Sequence, residues 1–332
     1  MKRTMYLLTL LIGLGLIFTS CQKNISEVVD DETELEQIVN DENSDFEDYL
    51  MDYGIDDESE DNLFGFSREG SPFGFNKVME PINNVFRFGR VITERYARRI
   101  VFEQTPAHPD TARLYMERVL MGRFVIVEKF DSNDTTNADT VAIYRKPLKH
   151  VVRRRALFAK RANDNRPRTR GWRLIAISPG QGNSPGATVR IAKVVVIPEN
   201  GDSLVFDTPL RPMMSVPDGL PIFDRGETVT VRVLVENTSD NPVINPRTNS
   251  TELVMLHYAR RRGNHHRKLF EFVGTDPETG LNVYEGTWQV QERGPRVYHA
   301  IVDVIDSGTI FDSDAEAYPY NSATWSCPYI VR

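Results

Sequence analysis

The sequence predicts a mainly β chain of α+β character, in which a curved-sheet domain precedes an antiparallel β-sandwich. Three observations carry that expectation. Short runs rich in β-branched and aromatic residues alternate with turn residues from about residue 140 to the C-terminus. The 332 residues are 40% apolar and 26% charged, the balance of an ordinary globular chain with enough length for two domains. Charge is segregated rather than mixed: residues 22–61 hold 17 acids and one base, whereas residues 145–170 hold 11 bases and one acid. The composition excludes a collagen-like, a disulfide-rich and a many-spanning membrane protein, and the net charge of −7 hides an acidic segment joined to a basic body.

Residues 1–21 read as a signal segment. Lys2 and Arg3 precede an apolar run from Met5 to Phe18, and Thr19, Ser20 and Cys21 close it. At ~1.5 Å per residue this run is too short as a helix for the ~30 Å hydrocarbon core, so a cleaved signal is the better reading than a permanent span. Phe18-Thr19-Ser20-Cys21 resembles the lipobox of bacterial lipoproteins, although that family usually has Leu where Phe18 stands. The resemblance implies acylation of Cys21, membrane attachment through an N-terminal lipid and, with Gln22 rather than Asp next to the Cys, an outer-membrane location in the cell envelope. Two or more acyl chains suffice for stable anchoring.

Residues 22–71 read as an acidic disordered tether, because charge this dense resists burial. A second reading stays open: Val28, Leu35, Ile38, Val39, Phe46, Leu50 and Tyr53 recur at intervals compatible with one helical face, which suits a segment that folds on the basic body or on a partner.

Residues 72–183 are expected to form an α+β domain. Thr111–Phe130, interrupted by Gly122, fits two strands better than one long helix, with a helix over its first half as the open alternative, and Thr140–Lys160 and Trp172–Ser178 are strand-like. The run Gly171-Trp172-Arg173-Leu174-Ile175-Ala176-Ile177-Ser178-Pro179 looks like the closing half of an NTF2-like cone, which implies a curved sheet around a helical layer. The basic stretch supplies Lys149, Arg153, Arg154, Arg155, Arg166, Arg168 and Arg170 as candidate anion-binding residues. On a strand Arg153 and Arg155 face one side and Arg154 the other. Two readings follow, a solvated basic face and a surface for an acidic glycan, an anionic headgroup or an acidic protein; no nucleic-acid recognition module is visible.

Residues 184–332 are expected to form the sandwich, with seven or eight strands and the alternation Val229, Val231, Val233, Val235 against Thr230, Arg232 and Leu234. Gly226–Val231 with Glu236-Asn237-Thr238, followed by Gly294-Pro295-Arg296-Val297-Tyr298-His299-Ala300, resembles bacterial immunoglobulin-like domains. That resemblance puts Tyr298 at the tyrosine corner. His257 and His299 fall in strands and read as structural. Asp312, Asp314 and Glu316 alternate, so an extended segment would line up three carboxylates as a weak Ca²⁺ candidate or an exposed hairpin. Cys327 reads as a small buried residue.

There is no nucleophile elbow, Walker A loop or zinc-protease helix. Gly180–Gly186 lacks a following helix and reads as a flexible interdomain turn. The sequence therefore points to a lipid-anchored, non-enzymatic envelope binding or assembly module without a cofactor. The alternatives are an enzyme or small-molecule binder using a cone-shaped cavity, and a structural spacer.

Overall fold

The computed structural model describes residues 31–40, 82, 85–105, 107–130, 140–161, 171–261, 264–292, 294 and 296–332. Cys21, most of the 22–71 segment, and Arg166, Arg168 and Arg170 lie outside the described residues.

Three long strands, β1 (Val85–Thr105), β2 (His108–Phe130) and β3 (Thr140–Lys160), form an antiparallel meander. Thr111–Phe130 is continuous, where two strands were expected. Gly122 does not interrupt it; a Cβ there would lie 1.9 Å from the Val91 carbonyl oxygen, so glycine lets β1 pass close by. Four register shifts along β1 mark bulges, which strengthen twist and bend the strand.

Next come β4 (Trp172–Ile177), β5 (Gly180–Asn183), β6 (Val189–Pro198), β7 (Leu204–Phe206), β8 (Met214–Ser215), β9 (Ile222–Phe223) and β10 (Thr228–Asn237). They are followed by β11 (Glu252–Arg261), β12 (Asn264–Leu269), β13 (Glu271–Thr275), β14 (Asn282–Gln289), β15 (Arg296–Asp306) and β16 (Ser322–Val331). An 11-stranded sheet runs β1-β2-β3-β5-β16-β15-β11-β12, with β4 also on β3, β8 on β4 and β9 on β16, and a five-stranded sheet runs β13-β14-β10-β6-β7. The chain is mainly β, with antiparallel pairing throughout except for β9 on β16.

The five-stranded sheet packs on the β11-β15-β16 part of the larger one. Val229, Val231, Val233 and Val235 point into this layer and meet Val254, Val304, Trp288 and Tyr329, as the period-2 alternation requires. Tyr298 packs on the Tyr329 ring at 5.9 Å. Half-buried Cys327 lines an apolar pocket in the same layer.

The opposite face of β11, β15 and β16 meets the concave face of β1–β3. There Phe124, Ile126 and Leu148 pack against Leu253, Met255 and Ile305. Among the described residues this face is covered mainly by strands β11, β15 and β16, and a single short helix, Asp31–Asn40, covers its end near Leu114, Met116 and Phe158.

The expected boundary between residues 183 and 184 does not divide the sheet. Asn183 pairs with Val151 of β3 and with Ala323 of β16, so β5 joins the two expected domains. Gly180 and Gly182, expected in a flexible turn, are strand residues. A Cβ on Gly182 would come within 2.4 Å of His150 and 2.3 Å of Thr324, and one on Gly180 within 2.4 Å of Ser326.

The acidic segment also differs from a plain tether. Asp31–Asn40 forms helix α1, whose Leu35, Ile38 and Val39 are buried against Leu114, Met116, Phe158 and Trp172. Lys160 lies 3.6 Å from Glu34, so an acidic helix sits against the basic body. The helical spacing of those apolar residues is what permits a single buried stripe.

Candidate anion-binding face and the buried polar row

Strand β3 separates the basic stretch by its pleat. Odd-numbered residues Lys149, Arg153 and Arg155 point outward, whereas Lys146, His150 and Arg154 point into the concave interior and are buried. The cross-strand register completes the outer face. Arg155 is opposite Tyr115 and Arg153 opposite Glu117 on β2; Arg99 of β1 is opposite the same Glu117, and Arg113 is opposite Glu103.

The cations clustered at this end of the face are Arg98, Arg99, Arg113, Lys149, Arg153 and Arg155, and exposed Arg123 and Arg145 continue it along the same register. The cluster stands among the three carboxylates Glu94, Glu103 and Glu117 and the two phenols Tyr96 and Tyr115. Glu117 is the organising acid, with Arg153 Nε at 2.8 Å and Arg98 Nε at 3.2 Å. Arg153 also donates to Asn183 Oδ1 at 2.8 Å, which fixes its fork over β5. Arg99 stacks over Tyr115 at 5.5 Å, and Tyr96 is 45% exposed beside it. Arg98, Arg99, Arg113, Lys149 and Arg155 are exposed. Guanidiniums interleaved with aromatic rings can pair with sulfate, carboxylate or phosphate groups bidentately and stack on ring faces.

Arg154 corrects the sequence expectation. It is 2% exposed, donates from Nη2 to Ser326 Oγ at 2.9 Å, and cannot belong to a ligand-facing patch. It ends a row of buried bases along the inner face of β3. Lys146 Nζ donates to the carbonyls of Gly308 at 2.9 Å and Tyr318 at 2.5 Å. His150 Nε2 lies 3.2 Å from Thr324 Oγ1, and Nδ1 lies 3.2 Å from the Tyr320 hydroxyl. Ser322, Thr324 and Ser326, alternate residues of β16, supply hydroxyls to this row.

At its centre Arg90 of β1 makes a bidentate pair with Asp303 of β15 (2.6 and 2.8 Å) and donates to the Tyr320 hydroxyl at 2.7 Å. His257 Nε2 lies 3.1 Å from the same Asp303 carboxylate. Burial opposes both charges, but their mutual attraction outweighs it: Arg90 is held above its ordinary pKa and Asp303 below the usual carboxylate range. Burial, reinforced by the Arg90 charge, pushes His150 down to about 3, so its imidazole is neutral. Burial lowers Lys146 to about 8, partly offset by Asp312, Asp306 and Asp314. This row holds His, Asp, Ser and Thr side chains, yet it is closed to solvent and every one of those carboxylate and hydroxyl contacts satisfies a structural neighbour.

Asp312, Asp314 and Glu316, the weak cation candidate or exposed hairpin of the sequence, follow α2 (Ser307–Phe311). Asp312 is extended but the chain turns at residues 315–317, and the carboxylates of Asp312 and Asp314 accept backbone N–H groups. Asp312 Oδ1 accepts from Asp314 N–H at 2.8 Å, and Asp314 Oδ1 accepts from the N–H groups of Glu316 and Ala317. Among the described residues no group of three His, Cys, Asp or Glu side chains is placed to hold a metal ion.

No local signature marks Arg90, Asp303 or Tyr320, because residues 213 and 230 positions apart meet only through the sheet. The alternating hydroxyls of Ser322, Thr324 and Ser326 inside an otherwise apolar terminal strand are the one signal in the chain that pointed to a buried polar face.

No family model and no curated protein matches the chain. Among solved structures, one of extended synaptotagmin 2 that comprises its SMP domain and two C2 domains aligns over 73% of this chain and 90% of that chain, with 8% identity and a TM-score of 0.13, too low to carry an argument.

Proposed function

We propose that the chain is a non-enzymatic, lipid-anchored binding module of the cell envelope, attached through Cys21 at the outer membrane and contacting an acidic glycan through the outer face of β1–β3. The observation that carries the binding part is the cluster of cations around Tyr96 and Tyr115, built on three paired strands whose register sets which residues share the outer face. The packed concave interior supports a binding rather than a cavity-based role for these strands. The lipobox-like Phe18–Cys21 run supports the anchor.

The test is binding of the purified protein to sulfated and carboxylated glycan arrays at low and high salt. Arg99→Ser, Lys149→Ser and Arg155→Ser together should weaken binding at least tenfold, and affinity should fall steeply with salt as the charges on both partners are screened. Arrays that bind the triple variant as well as the parent would refute the face. Separately, Cys21→Ser should move the protein from the membrane to the soluble fraction, and unchanged fractionation would remove the anchor.

A further inference from the structure

The larger sheet ends at β1 on one side and β12 on the other. Because the sheet folds over on itself, these two terminal strands approach each other without pairing, and a cleft of about 430 Å³ remains between them. Its walls differ in chemistry from its floor. Three arginines line it from three separate elements: Arg87 from β1, Arg267 from β12 and Arg247 from the β10–β11 loop. The floor is Leu253, Met255 and Phe311, continuous with the buried interior, while Phe88 and the half-exposed Leu269 stand at the sides.

The loop that carries Arg247 is built in detail. Asn245 is 2% exposed; its Oδ1 accepts from Arg247 N–H at 2.9 Å, and its backbone N–H donates to the Ser250 carbonyl at 2.8 Å. Arg247 Nη2 donates to the Val85 carbonyl at 2.8 Å, bridging the loop to the first residue of β1. This bridge keeps a positive charge over an apolar trough, and a fixed loop lowers the ordering cost of binding.

We infer that this cleft is a second binding site, separate from the outer face, for a single-chain amphiphile with an anionic head, of the fatty-acid class. A ligand of this kind matches both halves of the site: its chain covers Met255, Leu253 and Phe311, and its carboxylate lies among the arginines. The volume falls in the range of small-molecule sites, most of which combine apolar walls with a few placed polar groups. A simple inorganic anion would leave the floor uncovered, and a neutral chain would bring no charge to the guanidiniums.

Calorimetric titration of the purified protein with decanoate below its micelle concentration tests the site, with decanol and sulfate as the two half-ligands. Decanoate should bind at least tenfold more tightly than either. Arg247→Ser with Arg267→Ser should weaken decanoate at least tenfold, which is about 1.4 kcal/mol, and leave decanol unchanged. Leu269→Asp, at an exposed position, tests the apolar wall without touching the interior and should also weaken decanoate. The outer-face variant Arg155→Ser should leave decanoate binding intact, so failure of this site and failure of the glycan face are distinguishable. Sulfate binding as tight as decanoate, or decanoate binding indifferent to both the double variant and Leu269→Asp, overturns the inference.

Discussion

The inner and outer faces of β3 put the same residue types to opposite uses. Outward, Lys149, Arg153 and Arg155 stand near solvent, and Glu117 is shared between Arg98 and Arg153. Inward, Lys146, His150 and Arg154 are buried and tied to hydroxyls of β16 and of Tyr320 and to carbonyls of α2 and of the segment between α2 and β16. An exposed pair gains little in water, whereas a buried charge is costly unless it is paired and hydrogen-bonded. The basic stretch is thus two features superimposed on one strand: a solvent-facing basic surface and a polar seam that joins the meander to the sandwich.

The seam should break most severely at Asp303. Asp303→Ala leaves Arg90 buried without its counter-charge and should cost about 3–5 kcal/mol in chemical denaturation. Replacing both partners, with Arg90→Met and Asp303→Leu together, should recover most of that loss, since the desolvation cost of two charges disappears along with their attraction. A double variant as unstable as the single one would mean that Tyr320, Ser322 and His257, the remaining partners of the pair, dominate its contribution.

Much of this division was legible in the sequence. Period 2 alone places Arg153 and Arg155 opposite Arg154, and Val229–Val235 alternate as a half-buried strand must. The apolar spacing of Leu35, Ile38 and Val39 allowed a helix, but not its docking site, which is assembled from β2, β3 and β4. What local pattern could not supply was which face of β3 would be covered. That depends on β5 bridging β3 to β16, a pairing between residues 151, 183 and 323. A glycine-rich run such as Gly180–Gly186 has turn composition, and only the crowding by His150, Arg154, Thr324 and Ser326 explains why small residues sit there in a strand. Asp312 and Asp314 likewise alternate as a cation site would, yet they bind the backbone two residues on, which favours a turn over an extended chain.

A smaller effect separates the faces by pH. His150 is held neutral, with its pKa near 3 against 6.5 in the unfolded chain, so the unfolded state binds an extra proton between those values. Its contribution is therefore fully present above pH 6.5 and is lost as pH falls towards 3, by up to about 1.4 kcal/mol per pH unit. His150→Gln keeps groups that can bond Thr324 and Tyr320 but does not titrate. Its denaturation curves should lose less stability than the parent between pH 6.5 and 4.5, whatever the cost at neutral pH. Parallel pH profiles for the two proteins would place the acid sensitivity elsewhere.

The outer face should barely register in the same measurement. Arg155→Ser and Lys149→Ser remove exposed cations from paired strand positions without opening a cavity or orphaning a buried group, so each should change stability by less than about 0.5 kcal/mol. Arg153→Ser is the informative intermediate. It breaks the 2.8 Å contact with Glu117 and the bond to Asn183, but Arg98 remains within 3.2 Å of the same carboxylate to compensate it. Its loss should stay near ~1 kcal/mol, and Arg98→Ser combined with Arg153→Ser should exceed the sum of the single changes, because Glu117 is then left mostly buried without either cation. Additive losses in that cycle would show that Glu117 does not couple the two arginines, and the face would be a set of independent surface charges rather than an ordered anion-binding array.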